Sequence, residues 1–411
     1  MFKRIAAIGF IFLCTAVAWA ILGATIFSRT YSSDANLKDR VASSWGAPQE
    51  QAPPTAAYHI GSFRQVTVTE NGKEVVRTVD DRKYFSLPIQ KSRVRATLHL
   101  DYRRKGLLWY STYQVQFSGD YEFANPDDQP HDVTFSLGLP AEHAVYDDVT
   151  LAVNGTPLAI SNVKREACGT TTLKPHETVT LSVSYRSQGL ESWQYNFGDD
   201  VAQVRDFELR LNTDFSGYDF PENTLSPTEK LRTPSGWELV WTYKNLMSGY
   251  KIGLAMPEKL QPGPLAGRIS YFAPVSLLFF FFVLFVLTTV RGIELHPMNY
   301  FFLACAFFSF HLLMAYLVDH ISIHSAFAIC SAVSVFLVVT YLRLVVGLRF
   351  AALEAGLAQF VYLVLFSYAF FFEGFTGLAV TVGAILTLFV TMQMTARIRW
   401  TEKFAVRPAN S

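Results

Sequence analysis

The sequence predicts a membrane α-helical bundle of six transmembrane helices that carries a large all-β, sandwich-like extracytoplasmic domain. Two observations support this fold class. Half of the 411 residues are hydrophobic, and they gather in one block at the N-terminus and a long block after residue 270. Stretches of about twenty apolar residues have the length that a hydrocarbon core requires of a helix. Between the blocks, short runs alternate apolar and polar residues, as half-buried strands do.

The first apolar block predicts an N-terminal transmembrane anchor over residues 5–27. Lys3 and Arg4 precede it, and Ala18-Trp19-Ala20 offers a cleavage site, so a cleavable signal peptide is the alternative. Because the apolar run continues to Phe27 and reaches spanning length, the sequence favours an uncleaved anchor.

The second apolar block predicts a five-helix transmembrane bundle over residues 269–400, followed by a short cytoplasmic tail at residues 401–411. Charged or turn-forming residues divide the block into five segments, each of about spanning length. We place the spans near Ile269–Val290, Tyr300–Val318, Ala326–Leu342, Leu353–Phe372 and Gly377–Thr395. The residues between the anchor and this bundle, 28–268, form the predicted β-rich domain.

The positions of the cations predict the orientation in the membrane. If the N-terminus is cytoplasmic, the short connections on that side hold Lys3, Arg4, Arg291, Arg343, Arg349, Arg397, Arg399, Lys403 and Arg407. The short outer loops at 319–325 and 373–376 hold neither Lys nor Arg. Positively charged loops stay in the cytoplasm. We therefore expect both termini to be cytoplasmic, the β-rich domain to lie on the other side, and the spans to contact membrane lipid.

Strand signals dominate the domain between the blocks. Asn71-Gly72 and Asn154-Gly155 each separate two alternating runs, a pattern typical of tight β-hairpins. The proline-containing segment Ser43–Thr55 is predicted to be an irregular linker. Longer alternating runs follow it, and about ten strands in one region indicate a β-sandwich. These runs include Val94–Tyr102, Tyr113–Phe123, Val133–Leu139, Thr178–Tyr185 and Phe207–Leu211.

No nucleotide-binding loop, nucleophile elbow or zinc-protease helix occurs in the sequence. Acidic pairs such as Asp127-Asp128 fall at predicted turns, where Asp is a common turn residue. The formal net charge is +1, and no basic patch indicates nucleic-acid binding. We therefore expect no catalytic residue, no cofactor, no metal and no nucleic-acid partner.

One aromatic run in the domain has two interpretations. Trp193, Tyr195 and Phe197 alternate with polar residues, so the three rings share one face of a strand. Core packing is the simpler interpretation, and a platform for a partner is the alternative.

Ionisable residues inside spans are costly and are candidate functional residues. His311 lies nearest the middle of its span, whereas Glu354 and Gln359 lie toward the cytoplasmic half of another. A neutral histidine that bonds to a neighbouring carbonyl is the structural interpretation of His311. The alternative is a transport pathway for a small solute or ion.

Several motifs of this sequence are similar to one family. His296-Pro297-Met298-Asn299-Tyr300 opens the third span and Asp319-His320-Ile321 closes it, and Arg397-Ile398-Arg399-Trp400 follows the last span. Ser44-Trp45-Gly46-Ala47-Pro48-Gln49 and the two segments Arg104–Tyr110 and Gln116–Phe123 add to the pattern. The chain resembles the CreD family of bacterial inner-membrane proteins.

The resemblance implies an inner-membrane protein that maintains the cell envelope, with links to colicin tolerance and cell-wall antibiotics. It implies no established reaction. Together with the topology and the absence of catalytic signatures, it leads us to expect a non-enzymatic protein with periplasmic or inner-membrane protein partners. It makes His296, Pro297, Tyr300, Asp319 and His320 candidate functional residues, although helix-start and helix-end roles also explain them. A periplasmic ligand sensor that signals through a cytoplasmic partner is the alternative function, and a transporter that uses His311 is a further one.

Overall fold

The computed structural model describes residues 2–61, 63–70, 73–80, 83–105, 108–142, 144–163, 165–198, 202–372 and 374–396. The Asn71-Gly72 turn, the Arg397–Trp400 motif and the 401–411 tail lie outside the described residues. The chain forms two compact units. A helical unit comprises Met1–Asn36, Lys105–Leu108 and Leu260–Ser411, and a β-unit comprises Leu37–Arg104 and Trp109–Lys259.

In the described part of the chain, six helices are long and apolar enough to cross a membrane. Each of the six spans predicted from the sequence corresponds to one of these helices, which confirms the predicted helical bundle. They are α1 (Phe2–Trp45, with its apolar part at Arg4–Tyr31), α2 (Pro262–Arg291), α3 (Pro297–Leu317), α4 (Ile323–Val346), α5 (Phe350–Phe371) and α6 (Thr376–Thr395).

Helix α1 is longer than the predicted anchor. It continues without a break beyond Phe27 to Trp45. Extending an existing helix avoids the cost of nucleation, so a polar stretch without proline can remain helical after an apolar one. The helix and two strands, beginning at Gln49 and Thr55, therefore replace most of the irregular linker that the sequence predicts at Ser43–Thr55.

Helix α5 is irregular along most of its length. Two π-helical segments, Phe350–Ala355 and Phe360–Leu365, interrupt it, and it ends in a 3₁₀ turn at Ala369–Phe371. In the second π segment, the Tyr362 carbonyl accepts a hydrogen bond from the Ser276 hydroxyl of α2. Such local widening shifts the side chains that follow it around the helix axis. The sequence shows no proline in this span, so hydropathy alone predicts a regular helix there.

The β-unit contains eighteen strands in the described residues. An eight-stranded sheet has the order β10-β9-β13-β7-β6-β15-β17-β16, a five-stranded sheet the order β11-β12-β8-β2-β5, and a smaller sheet the order β1-β14-β18, while β3 and β4 form a separate hairpin. In chain order the strands are β1 (Gln49–Gln51), β2 (Thr55–Ile60), β3 (Phe63–Glu70), β4 (Lys73–Asp80), β5 (Lys83–Leu87), β6 (Ile89–Lys105), β7 (Leu108–Ala124), β8 (His131–Gly138), β9 (Tyr146–Val153), β10 (Thr156–Pro157), β11 (Ser161–Val163), β12 (Glu166–Leu173), β13 (Thr178–Leu190), β14 (Ser192–Tyr195), β15 (Ala202–Thr213), β16 (Glu229–Arg232), β17 (Trp237–Ser248) and β18 (Ile252–Ala255).

The predicted hairpin at Asn154-Gly155 is confirmed. Val153 pairs with Thr156, and both turn residues have positive φ, 48° and 79°. Asparagine and glycine are the residues that tolerate this left-handed conformation, which the tightest hairpin turns require. Asn154 also accepts a hydrogen bond from the Thr180 backbone N–H at 2.9 Å, which attaches the turn to β13.

The two larger sheets share one hydrophobic core, which confirms the sandwich. Buried residues of β7 and β13 from one sheet and of β2 and β8 from the other belong to the same cluster. Phe123 of β7 meets Phe135 of β8 edge-to-face, with ring centroids 5.6 Å apart. From Tyr113 onward, buried positions along β7 alternate with more exposed ones, as a strand with one inward face requires.

Candidate functional site

The predicted His296-Pro297 motif starts helix α3. His296 is the N-cap residue, and its Nδ1 accepts a hydrogen bond from the Met298 backbone N–H at 3.2 Å. Pro297 occupies the first helical position, where the missing N–H costs nothing. Tyr300 is fully buried and packs edge-to-face on Phe281 of α2, with centroids 5.3 Å apart. These contacts define a helix start and its packing, in agreement with the structural interpretation of His296 and Pro297. The buried Tyr300 hydroxyl has no hydrogen-bond partner among the described residues.

The Asp319-His320 motif ends the same helix. The backbone N–H of Asp319 donates to the Tyr316 carbonyl at 3.3 Å, so the chain tightens into a turn there. Arg29 of α1 donates to the Ala315 carbonyl at 2.8 Å and lies 3.6 Å from the Asp319 carboxylate. Both side chains are about one-third exposed, so this ion pair adds little stability. The sequence shows Arg29 beside a span but does not show its partner.

The two motifs do not form one site. Helix α3 has 21 residues between them. At 1.5 Å per residue this separates the motifs by about 30 Å, close to the thickness of a hydrocarbon core. The candidate residues His296, Pro297 and Tyr300 therefore lie at one end of α3, and Asp319 and His320 lie at the other.

His311 is fully buried among aromatic rings. Its ring lies 5.7 Å from Trp19 at 90° and 4.9 Å from Phe310 at 79°, measured between centroids. Its Nδ1 lies 3.2 Å from the Phe307 carbonyl one turn earlier, as the structural interpretation predicts. His311 Nε2 and Trp19 Nε1 have no hydrogen-bond partner among the described residues. Hydropathy does not reveal that Trp19 packs against His311, since Trp19 is only one of many apolar residues in α1.

Replacing His311 with phenylalanine tests whether this residue lines a pathway. The neighbouring rings provide an apolar site for phenylalanine, so we expect the variant to fold and to complement a deletion as well as the wild-type gene. His311→Asp is the disruptive control, because it buries a carboxylate without a cation. The measurements are complementation and the amount of folded protein in membranes. Normal folding of His311→Phe with complete loss of function would instead support the transport hypothesis.

Gln359, Ser334 and Glu354 make polar contacts between helices. Gln359 Nε2 donates to Ser334 at 2.9 Å, and Ser334 donates to the Ala306 carbonyl at 2.7 Å, which links α5, α4 and α3. The Glu354 carboxylate lies 2.6 Å from Arg291 at the end of α2. Hydrogen bonds between apolar helices replace contacts that lipid cannot offer. Glu354 and Gln359 therefore have helix-packing roles in this structure.

The structure places Trp193, Tyr195 and Phe197, the candidate partner platform, inside the core of the β-unit, which agrees with the core-packing interpretation. The side chains of Trp193, Tyr195 and Phe197 are 0%, 1% and 8% exposed. Trp193 and Tyr195 belong to β14, which lies between β1 and β18, whereas Phe197 follows the end of that strand. The Tyr195 hydroxyl meets that of Tyr121 at 3.1 Å inside the core. Burial raises the pKa of Tyr195 well above its ordinary value. Alternation shows that three rings share a face, but not whether that face points outward.

The Asp127-Asp128 turn of the β-unit pairs each carboxylate with a histidine. His131 Nε2 lies 2.9 Å from Asp127, and His176 Nε2 lies 2.7 Å from Asp128. The hydrogen bond from His131 lowers the pKa of Asp127 below its ordinary value. Tyr58 stacks on the His131 ring at 4.1 Å. These contacts fix the loop between β7 and β8, in agreement with the predicted turn.

A different part of the β-unit exposes large apolar side chains. Strand β5 is the last strand of the five-stranded sheet, and its first four residues are exposed. Tyr84 and Phe85 of β5 are 64% and 41% exposed, and Ile60 of the neighbouring β2 is 46% exposed. Phe85 stacks on Tyr58 at 5.3 Å, which holds its ring in place. We call Ile60, Tyr84 and Phe85 the edge surface.

Comparison with solved structures gives weak similarities. A putative nutrient binding protein from Legionella pneumophila is 10% identical with a TM-score of 0.33, covering 56% of this chain and 76% of that one. A mutant M1 zinc metallopeptidase from Deinococcus radiodurans is 12% identical with a TM-score of 0.24, covering 79% and 96%. An aminopeptidase N family protein from Idiomarina loihiensis is 10% identical with a TM-score of 0.23, covering 46% and 37%. Scores this low carry no inference about function.

Comparison with protein families gives a match over nearly the whole chain. No curated protein matches the sequence. The family model described as "Inner membrane protein CreD" matches residues 1–251 and 249–401. Together with six helices of spanning length, this makes the chain a multi-pass protein of the inner membrane whose helices contact lipid. The chain belongs to the CreD family of inner membrane proteins.

Proposed function

We propose that this protein is a non-enzymatic component of the inner membrane that supports the integrity of the cell envelope. Its β-unit contacts envelope partners on the periplasmic side, and its helical unit anchors it or couples it to other membrane proteins. We expect cells that contain this protein to tolerate envelope stress, cell-wall antibiotics and colicins better than cells that lack it. Membership of the CreD family supports the role in the cell envelope, and the arrangement of charges supports the orientation of the protein in the membrane.

The distribution of cations at the helix ends is the observation that carries this proposal, because it puts the β-unit on the periplasmic side, where envelope partners are. Arg4 lies in the first turn of α1, and Arg291 is the last residue of α2. Arg343 lies in the last turn of α4 and Arg349 just before α5, so successive spans bring these cations to one side. Asp319 and His320, between α3 and α4, belong to the other side. Cation-rich short connections stay in the cytoplasm. Both termini are then cytoplasmic, and the β-unit, inserted between α1 and α2, is periplasmic.

The edge surface is the part of the β-unit that we assign to partner contact. An edge strand presents backbone N–H and C=O groups along one side, and a partner can add a strand there. Exposed apolar side chains at such an edge supply contact area. Ile60, Tyr84 and Phe85 combine both features, whereas Trp193, Tyr195 and Phe197 are enclosed.

A deletion strain of the native host tests the proposed role. We expect increased dye uptake and reduced survival of cell-wall antibiotics or colicins, both restored by the full chain. The β-unit held on α1 alone is the comparison, and we expect it to restore less because the five remaining helices are missing. A deletion strain with wild-type permeability and survival under all these stresses would contradict the proposal.

A matched pair of variants tests the edge surface. Ile60 and Ile160 are 46% and 42% exposed, but only Ile60 belongs to the edge surface. Aspartate at either position should change the free energy of unfolding by about 0.5 kcal/mol or less, as is usual for exposed positions. We expect Ile60→Asp to lose complementation and Ile160→Asp to keep it, with both proteins equally abundant. Equal complementation by the two variants would remove the edge surface from the proposal.

A further inference from the structure

An apolar groove separates one end of α1 from one end of α2 within the helical unit. It is lined by residues between Ile5 and Phe12 of α1 and between Leu278 and Phe285 of α2, and its volume is about 310 Å³. Every lining side chain is aliphatic or aromatic, except for Gly9, which has none.

Helices α1 and α2 pack closely on the side of the groove away from the N-terminus of α1. At Gly23 a Cβ atom would lie 3.5 Å from Tyr271, and at Gly267 it would lie 3.2 Å from Phe27. Small residues permit this close approach of helices. At Gly9, five turns further along the axis from Phe27, a Cβ atom would meet nothing within 4 Å. The open space beside Gly9 is therefore part of the groove.

Arg4 lies at the open end of the groove. Its guanidinium carbon lies 5.9 Å from the centroid of the Phe285 ring. Its Nε and Nη2 atoms are shielded by neighbouring groups and have no hydrogen-bond acceptor among the described residues. Shielded N–H donors of a cation are costly unless an acceptor, best an anionic one, satisfies them.

We propose that the groove binds an anionic phospholipid, with one acyl chain between α1 and α2 and the phosphate on the Arg4 guanidinium. The groove lies within spanning segments, where the surrounding medium is hydrocarbon, so an acyl chain is the occupant that its lining fits. Residues 5–12 extend over about 10 Å of helix, which accommodates the upper part of the chain below the headgroup. The cation at the mouth matches the charge of the phosphate.

Photo-crosslinking of the full chain in liposomes tests this site. The probe is phosphatidylglycerol with a photoactivatable group in its acyl chain, and the readout is the position of the lipid adducts. We expect adducts at residues 5–12 and 278–285, above the labelling of the lipid-facing side of α6. Gly9→Phe should abolish the groove adducts, because its ring enters open space that the acyl chain would occupy. Gly383→Phe in α6, also at a glycine with open space around it, is the matched control and should change nothing.

The headgroup requires a second comparison. Phosphatidylcholine carrying the same photoactivatable chain should give weaker groove labelling, and Arg4→Gln should remove the preference for phosphatidylglycerol. The loss of one charge-assisted contact predicts about a tenfold change in that preference. Groove adducts unchanged by Gly9→Phe would overturn the acyl-chain site. Equal labelling by the two lipids in the wild-type protein would overturn the anionic selectivity.

Discussion

Replacing Gly46 with alanine is expected to destabilise the β-unit severely. Gly46 follows α1 with a φ of 108°, a conformation that side-chain-bearing residues rarely adopt. A Cβ atom there would lie 2.3 Å from the Gln188 carbonyl oxygen, which is a backbone atom and cannot rotate away. Backbone strain and overpacking together should cost about 3–5 kcal/mol of unfolding free energy. This requirement gives the Gly of the Ser44-Trp45-Gly46 motif a structural explanation.

Cys168 provides the measurement. Its thiol is free and buried in the β-unit, so its rate of alkylation in urea reports unfolding once Cys14, Cys305 and Cys330 are replaced by alanine. Gly155→Ala is the control, because Gly155 also has a positive φ but has open space around it. Gly155→Ala should lower the free energy of unfolding by about 1 kcal/mol, from backbone strain alone. If Gly46→Ala and Gly155→Ala raise the alkylation rate equally, the predicted clash with Gln188 is wrong.

The order and number of the spans could be predicted because a helix that crosses hydrocarbon needs about twenty consecutive apolar residues, and such stretches are visible in the sequence. The irregularity of α5 could not be predicted, since the span has no proline and contacts such as the hydrogen bond from Ser276 of α2 to Tyr362 leave no pattern in the sequence. The extension of α1 to Trp45 was also missed, because a polar helix without an apolar stripe resembles a linker.

Among the candidate residues too, local features could be predicted from the sequence and contacts between distant residues could not. A histidine before a proline predicts a helix start, and His296 is the N-cap residue of α3. The surroundings of His311 depend on Trp19, which is almost 300 residues away in the sequence. Contacts between such distant residues are set by packing and leave no local pattern. The edge surface was missed for a related reason, since only the order of strands in the sheet shows that β5 is an edge.

Replacing Trp193 with alanine is expected to unfold the β-unit almost as readily as Gly46→Ala does. Its indole is fully buried, and Phe117 lies 6.4 Å from it between ring centroids. Removing a buried indole leaves a large cavity and should cost about 3–5 kcal/mol. The same Cys168 alkylation assay measures this loss. A partner platform would predict normal stability with impaired binding instead.

Trp193→Phe separates the two explanations. The indole N–H has no hydrogen-bond partner among the described residues, so phenylalanine removes no bond and keeps most of the buried area. It should cost about 1.5 kcal/mol or less and retain complementation. Met247→Ala, at a position 72% exposed, should change neither stability nor function. If Trp193→Ala proved as stable as Met247→Ala, the ring would have to be accessible, and the platform hypothesis would return. If it unfolds, loss of function in Trp193→Ala reflects a missing β-unit, and the partner contact must be sought on the edge surface.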